Sequence, residues 1–295
     1  MGRAADMSAN LLPADPVRGA SGADLAYCRG VLPRVSRTFA ANIGVLRGPL
    51  ADQVTVAYLL CRTADALEDS WPGPPAELAE RFERLRDALA RERVAAQSLA
   101  RNAAALGPGR PDLELAARLP VVLRVLDSFP DDVRHLIVEA VCTMARGMQR
   151  YAVRAAERAA RAAATPHLDT QAELHEYCFV VAGCVGVMLT RLFARHAPAD
   201  DETEAERLAL ARAALGQVPE YLDHIPVRQW RYRMFVLWPA LWALASLRRA
   251  RSDPEFPFGE RRPRLMRDEV RSIARRAMLG GHSRAGVRKL FATLG

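Results

Sequence analysis

Val54-Thr55-Val56-Ala57-Tyr58-Leu59-Leu60-Cys61-Arg62-Thr63-Ala64-Asp65-Ala66-Leu67-Glu68-Asp69 is the stretch on which the reading of this 295-residue chain turns. The run up to Cys61 is almost wholly apolar, as in a helix buried on most sides, and the segment then ends on three carboxylates. At helical pitch Tyr58, Arg62, Asp65 and Asp69 share one stripe, with Cys61 and Glu68 beside it. An acidic cluster near a core is costly unless something positive compensates it. Carboxylate oxygens on a rigid helix suit Mg²⁺, which takes oxygen ligands, keeps several waters and is usually shared with substrate phosphates. Taken alone, D-x-x-E-D also describes a solvated acidic helix end, so the flanking sequence has to decide.

Half of the residues are hydrophobic, enough for a large core, and only 6% are aromatic. Alanine, leucine and arginine are abundant, which favours helices over sheets. The net charge of +8 is almost entirely arginine, Lys289 being the single lysine. Such a charge suits diphosphates, an acidic membrane surface or nucleic acid, and solvated arginine-rich helix faces account for much of it. The arginines are spread over many segments without a recognition motif, so no nucleic-acid partner is expected.

Cys28, Cys61, Cys142, Cys178 and Cys184 lie scattered in apolar contexts without metal-ligand spacing, and read as thiols in a reducing compartment. Met1 to Gly22 reads as a loose polar tail without a signal-type apolar run, and residues 23–295 as one domain. No run reaches the roughly 20 apolar residues of a spanning helix. Val180–Leu189 and Met234–Leu247 are therefore expected to be core helices, the latter with the option of one face on a bilayer. The expected location is cytoplasmic, with peripheral membrane contact left open along with the oligomeric state.

Helical signals dominate. Gly22 to Leu32 is amphipathic and should stop near Pro33; Ala76 to Leu106 is charged and alanine-rich and ends on Gly107-Pro108-Gly109. Pro130-Asp131-Asp132 opens a helix with Ile137, Val141, Met144, Met148 and Tyr151 at three-to-four spacing, continued by an Arg/Ala-rich surface segment to Ala164. Thr170-Gln171-Ala172-Glu173 is a capping box for a helix from Leu174 to Arg195. Thr203 to Leu215 is a further helix. Pro239 should kink or begin a helix that reads on to Arg251, and Ser252 to Pro263 is a Pro-rich loop. A basic helix from Met266 to Leu279 ends on Gly280-Gly281. Strand-like alternation and internal repeats are absent, and the expected fold class is all-α.

Four segments carry chemistry. Ser36-Arg37-Thr38-Phe39 sets a hydroxyl, a guanidinium and an aromatic at a helix start, where backbone N–H groups and an arginine fork can cradle a diphosphate. Tyr58-x-x-x-Arg62-x-x-Asp65-x-x-Glu68-Asp69 is the second and Met144-x-x-Gly147-Met148 the third. In the fourth, Tyr177-Cys178-x-x-Val181-Ala182-Gly183-x-Val185-Gly186, the glycines thin a helix face so that another helix or a prenyl chain can come close.

In this order and spacing the segments, over about Ala23 to Phe193, resemble the squalene/phytoene synthase family, the head-to-head all-trans prenyl synthases. Tyr221-Leu222 through Trp238-Pro239 to Leu247, then Arg264 to Phe291, is similar to the family's C-terminal part. The resemblance implies an all-α terpenoid synthase fold and a Mg²⁺-assisted joining of two prenyl diphosphates through a cyclopropyl intermediate. By the family's pattern Asp65, Glu68 and Asp69 would hold Mg²⁺, while Arg37 and Arg62 would grip diphosphate with Ser36 assisting. Phe39 and Tyr58 would line the cation pocket, Gly183 would border the substrate, and Tyr177, catalytic along with Arg62, would lie near the reacting carbons and assist ionisation or proton handling. The resemblance leaves open a fifteen- or twenty-carbon donor, and whether NADPH reduces the product.

One departure is large. The family carries a second Asp-rich helix after a stretch like Leu208 to Gly216, whereas here Gly216 runs straight into Gln217-Val218-Pro219-Glu220-Tyr221-Leu222-Asp223. Several dozen residues, with half of the expected metal-diphosphate clamp, have no counterpart. Asp200 with Asp201, and Glu220 with Asp223, are the acids nearest the gap. The expectations are an impaired prenyltransferase or, in the alternative, a non-catalytic relative acting in assembly or prenyl-ligand binding.

Overall fold

The computed structural model describes residues 20–73, 76–160, 168–196, 217–254 and 264–294. Among these it is all-α. The helices are α1 Gly22–Val35, α2 Arg37–Ile43, α3 Gly48–Asp69, α4 Ala76–Leu89, α5 Arg93–Ala105, α6 Pro111–Ala116, α7 Leu119–Asp127 and α8 Asp131–Ala160. There follow α9 Gln171–Cys178, a π-helical turn Phe179–Gly183, α10 Cys184–His196, α11 Val218–Asp223, α12 Trp230–Arg251, α13 Arg267–Gly280 and α14 Arg284–Leu294. The expected helix Thr203 to Leu215, residues 161–167 of the segment expected to run to Ala164, and most of the Pro-rich loop lie outside the described residues.

The central helix is α3, against which α1, α4, α6, α7, α8 and α10 pack. Its N-cap, Arg47, makes no side-chain cap bond. A missing cap costs about 1 kcal/mol, whereas each fully buried leucine contributes about 1.5–3 kcal/mol, and Leu59, Leu60 and Leu67 are all sealed from solvent. Packing, not local propensity, holds this helix. It therefore fixes rigidly whatever projects from its last turns.

A second apolar cluster joins α11, α12, α13 and α14 around Leu222, Met234, Leu237, Leu241, Ile273 and Val287. Tyr232 and Val236 of α12 pack on both clusters. Arg233, 2% exposed, ties the group together by donating to the carbonyls of Leu222, Ile225 and Gly281. These neutral acceptors compensate the buried guanidinium only in part, so burial holds its pKa below the usual value.

Several boundaries differ from expectation, each for a physical reason. The helix α1 runs through Pro33 to Val35, because Val31 and Leu32 are buried and carry the last turn past the missing N–H. Ala76 to Leu106 is two helices, broken where Arg91 adopts φ 75°, a left-handed turn with no glycine to announce it. Thr170 caps α9 by accepting from the Glu173 N–H at 3.1 Å, but Glu173 accepts from the Asp169 N–H, so the box is not reciprocal. The apolar length was also underestimated. Gln171–His196 is one helical run of 26 residues, within which an 18-residue stretch has mean hydropathy 1.8 and is one-third buried, and by length and composition it is long enough to cross a membrane. Its buried residues Cys184, Met188, Leu192 and Phe193 belong to the main core, while Met234, Leu237 and Leu241 anchor the second cluster.

Asp24 supplies a test of the α1 start. It is the third residue of a reciprocal capping box in which Ser21 is the N-cap, and it pairs with Arg124 of α7 at 2.6 Å. That hydrogen bond to Arg124, first among the causes, lowers its pKa from 3.8 to about 2. A depressed carboxylate stabilises the fold above pH 4 and loses that contribution as pH falls through about 2. Arg124 is 45% exposed, so after solvent screening the contribution is about 1 kcal/mol. Asp24→Asn should lower stability by about that amount at neutral pH and flatten the acid limb between pH 4 and 2. Identical acid limbs in denaturant titrations of the two proteins would contradict this.

Candidate active site

The last turns of α3 open on a cavity of about 720 Å³, lined mainly by apolar side chains with a few convergent polar groups. Ligand sites have this size and character. Ser36 and Phe39 of α2, with Tyr58, Arg62 and Asp65 of α3, line one wall. Met144 of α8, Val181 of the π turn with Val185 and Leu189 beyond it, and Phe235 and Pro239 of α12 line the others. Phe39 and Tyr58 stack obliquely, ring centroids 4.9 Å apart. The Ser36 hydroxyl accepts from the Phe39 N–H at 3.2 Å, capping α2. Burial raises the Tyr58 phenol, while Ser36 and Arg62 act in the opposite sense.

Arg62 is held from two sides. One Nη donates to Asp112 of α6 at 2.8 Å and the other to Asp65 at 3.4 Å. Asp112 also accepts from Ser70 at 2.6 Å, which locks the arrangement to the end of α3. The Nε of Arg62 is buried with no acceptor among the described residues. A buried unsatisfied donor costs about 1–3 kcal/mol, more when charged, and a ligand oxygen would recover it.

The acids are under-compensated. Burial raises Asp65, with Asp69 and Asp112 adding to the effect against Arg62. Burial, then Asp69 and Asp65, push Glu68 up from 4.5 to about 7. Tyr177 faces the same charges: burial raises it first, then Glu68 and Asp69. Its ring meets Tyr151 of α8 edge-on, centroids 5.1 Å apart. Among the described residues no three Asp, Glu, His or Cys side chains close into a ready-made metal cage. Asp65, Glu68 and Asp69 are instead joined by electrostatic coupling along the end of α3.

The expected residues do not all share the lining. Ser36, Phe39, Tyr58, Arg62 and Asp65 do; Glu68, Asp69 and Tyr177 stand beyond it, coupled electrostatically. Arg37 is exposed and outside the lining. Gly183 is also outside it, and a Cβ there would lie 2.8 Å from the Phe179 ring, not from a neighbouring helix. The close helix approach is instead at Gly147, where a Cβ would lie 2.4 Å from the Cβ of Val180. Gly147→Ala should therefore destabilise by about 1–3 kcal/mol, because a β-branched neighbour near its own backbone cannot swing away. An unchanged denaturation midpoint would refute that packing.

Two features were not legible as motifs. Asp112 carries no sequence signal beyond following Pro111 at a helix start. Asn42, fully buried in the cavity wall, donates to the Phe235 carbonyl at 3.1 Å, across 193 positions. That carbonyl is four residues before Pro239, whose missing N–H leaves it without a helical partner. Pro239 announced an orphan carbonyl but not who would satisfy it. Of the acids nearest the gap, Asp200 and Asp201 lie outside the described residues. Glu220 is exposed, and Asp223 pairs with Arg284 and Arg288 of α14.

The chain resembles known proteins in both sequence and fold. Residues 32–213 match the model of the squalene/phytoene synthase family. Squalene synthase of Schizosaccharomyces pombe is 28% identical over 172 residues, covering 58% of this chain and 35% of that protein. A probable squalene synthase of Neurospora crassa is 30% identical over 166 residues, 56% of this chain and 32% of that one. The matches thus span about a third of these curated relatives. The fold superposes on the complex structure of TcSQS with ligand BPH1237 at TM-score 0.66 and 19% identity, covering 92% of this chain and 90% of that chain. With an ordered set of motifs on one cavity and a family model spanning well over half its length, the chain belongs to the squalene/phytoene synthase family.

Proposed function

We propose that the protein binds prenyl diphosphates with Mg²⁺ for head-to-head condensation, and that it turns them over slowly. The observation that carries this reading is one apolar cavity headed by Arg62 and Asp65, with Glu68 and Asp69 coupled electrostatically to Asp65 beside it. Asp65, Glu68 and Asp69 would hold Mg²⁺, whose positive charge would draw electron density from the diphosphate leaving group. Arg62, its Nη groups fixed by Asp112 and Asp65, would supply pre-oriented positive charge to a diphosphate oxygen. Phe39 and Tyr58 offer ring faces to an allylic cation. The aliphatic walls exclude water that would quench it. Tyr177 stands over the carboxylates as a proton-handling group.

Slow turnover follows from the acids near the gap: Glu220 is exposed and Asp223 is engaged with α14, so neither supplies the second half of a clamp. The test is incubation of purified protein with farnesyl or geranylgeranyl diphosphate, Mg²⁺, and with or without NADPH, beside titration of a non-hydrolysable analogue. Mg²⁺-dependent binding with slow product formation is expected. Squalene, dehydrosqualene or phytoene at ordinary enzymic rates would overturn the impairment. Absence of analogue binding would overturn the reading in favour of a non-catalytic assembly protein.

A further inference from the structure

Positive charge is very unevenly distributed along this chain. Residues 264–294 hold eight arginines and lysines against two acids, and so carry six of the eight net positive charges. Within them α13 buries Ile273 and Ala277 against the second core and turns its other face outward. Arg271, Arg275 and Leu279 follow one another at four-residue spacing along that outer face. Leu279 is 86% exposed, and Met278 beside it 37%. Among the described residues Arg267, Arg275 and Arg276 have no ion-pair partner. Arg271 has only a loose contact of 3.6 Å with the almost fully exposed Asp268, a kind of pair that contributes little.

We propose that this outer face of α13 docks on an anionic lipid surface. A merely solvated face gains nothing from presenting a leucine to water. A nucleic acid would use the arginines but not the aliphatic tip, and the exposed positions of this helix carry no aromatic on which a base could stack. Guanidiniums flanking exposed aliphatic side chains match the boundary of a bilayer, where headgroup charge attracts the first and the acyl edge accepts the second. None of these residues lines the cavity, so the proposal stands independently of the ligand assigned to it.

The experiment is flotation of the purified protein with phosphatidylcholine vesicles, with and without phosphatidylglycerol, at low and high salt. Binding to the anionic vesicles alone, weakened by salt, is expected. Arg271→Gln with Arg275→Gln should weaken it by at least about twentyfold, each arginine near a charged surface accounting for about fivefold. Leu279→Ser should weaken binding without altering its salt dependence. All three side chains are exposed, and circular dichroism with melting curves verifies the fold of the variants. Titration of a prenyl diphosphate analogue in detergent should be the same for variants and parent, which separates this surface from the cavity. Equal partition onto neutral and anionic vesicles, insensitivity to the double arginine variant, or tighter binding to duplex DNA than to the vesicles would each overturn the proposal.

Discussion

Replacing Asp65 and Asp69 together by asparagine is expected to abolish Mg²⁺-dependent binding of a prenyl diphosphate analogue. Any residual turnover should fall by about a hundred- to a thousandfold, the usual cost of removing one pre-oriented electrostatic contributor from such a site. Asparagine keeps the shape of aspartate and removes the charge, so the variant separates electrostatics from packing. The same variant has a signature that needs no ligand. Glu68 is pushed up from 4.5 to about 7 by burial and then by Asp69 and Asp65. In the parent the folded state therefore holds a proton that the unfolded state has released, and stability falls as pH rises from 4.5 to about 7. Glu68 is itself exposed, so solvent screens much of the effect and the slope corresponds to about 1 kcal/mol. The double variant should make that slope shallower, burial alone then holding Glu68 up, and millimolar Mg²⁺ should flatten it in the parent but not in the variant. Chemical denaturation across this pH range, with and without Mg²⁺, measures both. A slope unchanged by both treatments would show that the carboxylates do not act as one cluster.

How much was legible in the sequence depended on whether a residue's neighbours were near in the chain. Helical periodicity placed Tyr58, Arg62 and Asp65 on one stripe of α3, and all three line the cavity, because a rigid helix converts spacing directly into direction. The all-α architecture was legible for the same reason. What the sequence hid is contact between distant segments. Asp112 meets Arg62 across 50 positions and Asn42 meets Phe235 across 193, and nothing local requires either. The glycine reading failed in an instructive way. Gly183 stood inside a recognisable motif, yet the glycine whose Cβ would clash with a neighbouring element at this cavity is Gly147, because only the partner surface, here Val180 on the π turn, decides which glycine is indispensable. The split of Ala76 to Leu106 was hidden because Arg91 takes a left-handed conformation, held by the surrounding turn, that its residue type does not advertise.

Arg62→Met should cost both stability and binding, and the two losses can be separated. The guanidinium sits between Asp112 and Asp65, with 25%, 17% and 32% of the three side chains exposed. Breaking a fully buried pair by removing one partner costs about 3–5 kcal/mol, because the other charge is left uncompensated. Exposure of this order brings the expected loss to about 2 kcal/mol. Asp112 would retain only its hydrogen bond from Ser70. Methionine fills most of the aliphatic volume, so the loss reports charge more than cavity formation. Asp112→Asn removes the same ion pair from the opposite side while leaving the guanidinium in the cavity wall. If Arg62 serves only to tie α3 to α6, the two variants should lose analogue affinity equally. If its Nε meets the diphosphate, Arg62→Met should lose at least about tenfold more affinity than Asp112→Asn, since hydrogen bonds to charged groups contribute about 1.5–3 kcal/mol each. The double variant should recover part of the stability lost by Arg62→Met, because the stranded carboxylate is then gone. Denaturation midpoints and analogue titrations on the three variants complete the cycle. Equal affinities for Arg62→Met and the parent would remove Arg62 from the ligand site and leave it a purely structural ion-pair partner.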